Sequence, residues 1–132
     1  MKKLILIIIV LFILCIQSSA GAYKFAEDWS KTDTAYQATF LAVTTVDWMQ
    51  TRWMVKQDWK WDGEYHREMN PVLGSHPSMK KVDTLIPLGM VAHTLVSMAL
   101  PHDYRRIWQC VWIGIESLAV YHNYSVGVKL EF

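Results

Sequence analysis

Val82-Asp83-Thr84-Leu85-Ile86-Pro87-Leu88-Gly89-Met90-Val91-Ala92-His93-Thr94-Leu95-Val96-Ser97-Met98-Ala99-Leu100 is the stretch on which the fold turns. Only Asp83 and His93 interrupt its apolar character, and Pro101 ends it. After the short polar stretch 101–106 the pattern repeats in Ile107 to Val126, where Glu116 and His122 are the exceptions. A water-soluble surface helix carries an apolar stripe and a charged opposite face, whereas these two segments are apolar nearly all round. That pattern calls for burial in lipid or in a large core, and a chain of 132 residues has no large core to offer.

Working outward, Tyr36 to Val55 is also mostly apolar and free of Gly and Pro. Its polar residues Thr44, Asp47 and Thr51 are spaced three and four apart, which places them on one helical face. Thr32 or Asp33 is expected to cap this helix near Thr34. Between it and the second helix, residues 56–81 are rich in charge, Trp, Pro and Gly and read as a loop. The expected fold is therefore all-α: a small bundle of about three long, mostly apolar helices, embedded in a membrane. A soluble periplasmic bundle is the alternative. Trp48, Trp53, Trp59 and Trp61 gather around the end of the first helix, and Trp108 and Trp112 near the start of the third. Trp favours the membrane–water interface, which agrees with the lipid reading. Arg52, Lys56, Lys60, Arg67, Lys80 and Lys81 make the central loop the cytoplasmic side, and this leaves Arg105 and Arg106 on the wrong side.

At the N-terminus, Lys2 and Lys3 precede an apolar run from Leu4 to Ile16, followed by Ser18-Ser19-Ala20-Gly21-Ala22. This is the layout of a secretory signal peptide over residues 1–22, with an uncleaved anchor as the competing reading. A single helical membrane domain, 23–132, would follow. Cleavage takes the 13 basic residues to 11 against 12 acidic ones and leaves Cys110 as the one thiol, so no internal disulfide is possible. Near-neutral charge gives no reason to expect a nucleic-acid partner, and 52% hydrophobic content excludes intrinsic disorder.

Glu116 is the most informative residue, because an ionised carboxylate facing lipid in mid-helix costs several kcal/mol. Gln109, Glu116 and Asn123 recur every seven residues on one stripe, and Arg105 extends it. His93 and Ser97 share a face on the preceding helix. Turning the three stripes inward is expected to bring Asp47, His93 and Glu116 towards a common interior, with Arg52 as a compensating charge. Interhelical hydrogen bonding that holds the helices together is the first reading of these groups. A proton relay, an acid/base pair or a divalent metal site is the sharper one. No H-x-x-x-H or H-E-x-x-H spacing is present, so neither a metal nor another cofactor is expected.

The loop carries a second constellation, Glu64-Tyr65-His66-Arg67-Glu68-Met69-Asn70-Pro71-Val72-Leu73-Gly74-Ser75-His76-Pro77-Ser78. A compact loop capped by Glu68 and Asn70 is its structural reading. The functional one makes Glu64, His66, Glu68 and His76 ligands or acid/base groups, although alternate residues converge only where the chain is extended. The tail 126–132 alternates apolar and polar and ends in Phe132, like the last strand of an outer-membrane barrel. One strand after three helices cannot close a barrel.

Four motifs, Asp47-Trp48-x-Gln50-Thr51, Glu68-x-Asn70-Pro71-Val72-Leu73-Gly74-x-His76-Pro77-Ser78, Tyr104-Arg105-Arg106-x-Trp108-Gln109 and His122-Asn123-Tyr124-Ser125-x-Gly127, together resemble a family of small uncharacterised proteobacterial membrane proteins. The resemblance covers about residues 40–130. It implies a bacterial origin and the same helical layout and brings no activity with it. It singles out Asp47, Gln50, Thr51, Glu68, Asn70, Arg105, Arg106, Glu116, His122 and Asn123.

The sequence thus leads to a small polytopic inner-membrane protein of unknown activity, acting as a binding or assembly component. Membrane lipid and a protein docked on the 56–81 loop are its expected partners. Glu68, Asn70, His76, Arg105 and Asn123 are the candidate binding residues. A membrane-embedded enzyme or ion-coupled transporter using Asp47, His93 and Glu116 is the alternative.

Overall fold

The computed structural model describes residues 25–130, and the signal-peptide segment lies outside them. It is all-helical apart from one short hairpin: α1 (Lys31–Lys56), β1 (Lys60–Trp61), β2 (Glu64–Tyr65), α2 (Met79–Ala99) and α3 (His102–Ser125). The helices run up, down and up. The start of α1, the end of α2 and the start of α3 therefore meet at one end, and the 57–78 connection lies at the other.

Each helix boundary has a local cause. Ser30, not Thr32 or Asp33, is the N-cap of α1; it accepts from the Asp33 N–H while the Asp33 carboxylate accepts from the Ser30 N–H at 2.8 Å. This capping box satisfies two donors that a helix start otherwise leaves unpaired. Ser78 caps α2 by accepting from the Lys81 N–H, so Lys80 and Lys81, expected in the loop, belong to the helix. Pro87 inside α2 removes one backbone donor and is carried within the helix. The connection between α2 and α3 is tighter than the sequence suggests. Only Leu100 and Pro101 separate the helices, because fixed φ and the missing N–H suit proline to the start of a helix.

The central segment is not a bare loop. Lys60 pairs with Tyr65 and Trp61 with Glu64 across the turn Asp62-Gly63, where φ is +53° and +80°. Two positive φ values in a two-residue connection match the right-handed twist of paired strands, and Asp-Gly is the dipeptide that adopts them cheaply. Among the described residues of the tail, 126–130, none is in a strand. Val128 instead buries itself with Met54, Trp59 and Trp61 in an apolar cluster against the hairpin, with Trp53, Val55 and Val126 around it. Leu73, Val82 and Ile86 make a second cluster beside it.

Both clusters lie at the loop end, and apart from Phe40 and Leu100 the rest of the buried interior is polar. Residues 33, 37, 40, 44, 47 and 51 of α1 recur at alternating steps of four and three, the spacing that keeps a helix seam facing its neighbours. They are Asp33, Gln37, Phe40, Thr44, Asp47 and Thr51. Opposite them stand His93 and Ser97 on α2, and Arg105 and Gln109 on α3, all buried. The large apolar side chains face the other way: Leu88, Val91 and Leu95 on α2, and Ile107, Val111, Ile115 and Leu118 on α3, are exposed.

Candidate functional site

The buried groups sort into three levels along the bundle. At the end where α2 meets α3, Arg105 is fully buried. Its Nε donates to the Ser97 carbonyl at 2.9 Å, and its Nη2 to the carbonyls of Glu27 and Leu100 at 2.8 and 2.9 Å. Its Nη1 donates to the Asp33 carboxylate at 3.3 Å, and its guanidinium lies 5.0 Å from the Trp29 ring centre. One side chain thus ties the segment before α1, the first turn of α1 and the C-terminal carbonyls of α2. Burial pushes the Asp33 carboxyl up, but the Ser30 hydrogen bonds and the Arg105 charge outweigh it and hold the group below its ordinary value. Arg106 stands 3.6 Å from the same carboxylate. A residue expected among the binding groups is therefore fully occupied as an internal clamp.

At the middle level, Gln109 donates to the Asp33 carbonyl at 3.2 Å and to Gln37 Oε1 at 3.4 Å. Gln37 Nε2 lies 2.9 Å from Thr94 Oγ1 and 3.3 Å from His93 Nδ1. The amide can only donate, so Nδ1 accepts and His93 carries its proton on Nε2. The imidazole stacks on Phe40 at 3.6 Å, with Trp108 and Trp112 at 5.4 and 6.3 Å. The structure does not place His93 with Asp47.

The third level faces the loop. Asn123 Nδ2 donates to Asp47 Oδ1 at 3.0 Å and to Gln50 Oε1 at 3.2 Å, and Gln50 Nε2 donates to the Val120 carbonyl at 3.3 Å. Asp47 is within electrostatic reach of both Glu116 and Glu68. Glu68 folds back from the loop, accepting from the Asn70 N–H at 2.8 Å, with the Thr51 hydroxyl beside it. Burial pushes the Glu68 carboxyl above its ordinary value, against the Asn70 and Met69 N–H groups and the Thr51 hydroxyl, which favour the charged form. Arg52 does not join this group. It binds Asp83 at 2.7 Å, an oxygen that also accepts from the Trp48 indole at 2.9 Å.

Above this level the loop borders a half-open cavity of about 410 Å³, within the size range of small-molecule sites. His66, Arg67, Glu68, His76, His122 and Asn123 supply its polar lining, and Met54, Trp61 and Val126 part of the apolar lining. Asn123 and Glu68 form its contact with the Asp47 level. Trp61 stacks on His66 at 3.6 Å and donates to the Val126 carbonyl at 2.8 Å, which fixes that wall. His76 Nε2 lies 3.2 Å from the His66 carbonyl, closing the loop on itself. Asn70 is exposed and accepts from the Val72 N–H at 3.0 Å, a turn-forming bond. Glu64 is exposed and does not line the cavity. Among the described residues no three of His, Cys, Asp and Glu converge to hold a metal ion.

Asp47 and Glu116 thus come together as their stripes imply, His93 joins a different level, and Glu68 and Asn123 take its place. Reasoning from sequence missed Asp33 and Gln37 as interior groups. The signal was present, because the Thr44, Asp47, Thr51 series continues backward to them at the same steps. Comparison with protein-family models, with curated proteins and with solved structures finds no match.

Proposed function

We propose that this chain is a small integral protein of the bacterial inner membrane, a binding component whose loop-end cavity is its site. The observation that carries the reading is the inverted distribution of side chains. Arg105, Gln109, Thr51, Asp33 and Ser97 are five of the seven largest fully buried residues, beside Leu73 and Val82, while Leu88, Val91 and Leu95 on α2 and Ile107, Val111, Ile115 and Leu118 on α3 point outward. In water that arrangement exposes apolar surface and desolvates polar groups, both unfavourable. In lipid both signs change, because outward apolar residues meet acyl chains and inward polar groups pair across helices. Met79–Ala99 is long and apolar enough to cross a bilayer, and only 22% of its most apolar window is buried, whereas a soluble core helix would be mostly buried.

The Arg105 clamp also halves the topological anomaly. One of the two arginines on the expected periplasmic side is spent inside the fold, and Lys56, Lys60, Arg67, Lys80 and Lys81 mark the loop end as cytoplasmic. Extraction of membranes with alkaline carbonate tests the reading. The chain stays in the pellet if it is embedded, and its release into the supernatant would support the soluble periplasmic bundle.

A second reading, an acid/base or ion-coupled role, is favoured by the proximity of Asp47, Glu116 and Glu68. Glu116→Gln separates the two. As interhelical glue, Gln keeps most of the bonding and costs about 1 kcal/mol of stability. An acid/base role would leave folding intact and abolish activity.

A further inference from the structure

The cavity has a polarity and a position that together specify a class of ligand. Resting on the membrane reading above, we infer that it takes the phosphate of an anionic lipid headgroup, with the acyl chains lying along α3. Arg67 is the charged anchor, since a guanidinium presents paired donors to phosphate oxygens. His66 and His122 add ring nitrogens, and His66 Nε2 has no hydrogen-bond partner within the described chain. Glu68, the one carboxyl in the lining, has Oε1 engaged by the Asn70 N–H, and its burial favours the neutral form, which lessens its repulsion of an anion.

The second observation is continuity. Val111, Ile115, Leu118 and His122 are spaced four, three and four apart, so the outward apolar stripe of α3 ends on a cavity residue. A ligand with a phosphate in the cavity and an apolar tail down that stripe satisfies both features at once. A free phosphate uses only the first. Trp48 and Trp53, half-buried near the end of α1, lie at this end of the bundle, the level at which headgroups lie. Lys60, Lys80 and Lys81 add a positive field that concentrates anionic lipid at the same surface.

The test uses the full chain purified in a neutral detergent, with tryptophan emission as the readout because Trp61 lines the site. It is titrated with short-chain phosphatidylglycerol, short-chain phosphatidylcholine and inorganic phosphate. Saturation by phosphatidylglycerol at a concentration at least tenfold below that of phosphatidylcholine is expected, with inorganic phosphate weaker still. Arg67→Gln should abolish that preference, whereas Lys31→Gln, exposed at the opposite end of the bundle, should leave it within twofold. Equal affinity for the two lipids, or an unchanged preference in Arg67→Gln, overturns the proposal. Inorganic phosphate binding as tightly as phosphatidylglycerol overturns the lipid source and leaves a phosphate site. Carbonate extraction of the same protein reports on the membrane reading separately, so failure of one is not mistaken for failure of the other.

Discussion

The two ends of the bundle are secured by opposite means. Where α2 meets α3, one buried guanidinium binds three backbone carbonyls and a carboxylate, and no apolar cluster is found there among the described residues. At the other end, Met54, Trp59, Trp61, Val128, Leu73, Val82 and Ile86 pack in two apolar clusters beneath the hairpin. The difference teaches where each force operates. On the proposed membrane reading, hydrophobic packing is strong where the alternative is water, as at the loop, and weak between helices whose alternative is lipid. Between the ends, hydrogen bonds among Gln37, Gln50, Gln109 and Asn123 set the helix register. At the clamped end the Arg105 guanidinium is engaged through all three of its nitrogens; the packed end keeps a cavity.

The sharpest way to break the comparison is Arg105→Met. It should cost about 3–5 kcal/mol, because it strands a buried carboxylate and three carbonyls. Unfolding in mixed micelles by a denaturing detergent measures it. Arg105→Lys should recover little, since one ammonium cannot reach the points that the planar fork spans.

Asp33→Asn comes next, at about 1–3 kcal/mol, because the guanidinium keeps its carbonyl partners. This site also has a pH signature. The folded state holds Asp33 ionised at lower pH than the unfolded chain does, so its contribution is complete above about pH 4. It is lost as pH falls through the folded pKa. Stability measured between pH 5 and pH 2 should therefore drop less in Asp33→Asn than in the native chain.

At the packed end, Trp61→Phe removes the bond to the Val126 carbonyl and keeps most of the stacking on His66. About 1 kcal/mol of loss is expected, with the cavity wall loosened and its tryptophan emission changed.

How much of this was legible in the sequence differs by level. Periodicity fixes the face of a helix on which a residue sits, so the inward stripes of Thr44-Asp47-Thr51 and Gln109-Glu116-Asn123 could be read. Height along a bundle depends on where helices begin and end, and those boundaries were the weakest part of the reading. Asp47 lies nine residues before the end of α1 and Glu116 nine before the end of α3, so they share a level. His93 lies fourteen residues after the start of α2, which places it about 7 Å further from the loop and beside Phe40. The Asp62-Gly63 hairpin was readable from its dipeptide alone and was obscured by the surrounding charge. The Arg105 clamp was not readable, because its carbonyl partners come from backbone that no side-chain pattern marks.

In the proposed membrane protein the apolar faces of α2 and α3 meet lipid. Ile115, half-exposed near the middle of α3, is the place to test it. A spin label at Ile115→Cys in a Cys15→Ser, Cys110→Ser background, in native-like bilayers, reports collision with oxygen and with a water-soluble nickel chelate. Ready collision with oxygen and exclusion of the chelate is the result predicted here. Free access of the chelate to residue 115 would put that face in water and contradict the account.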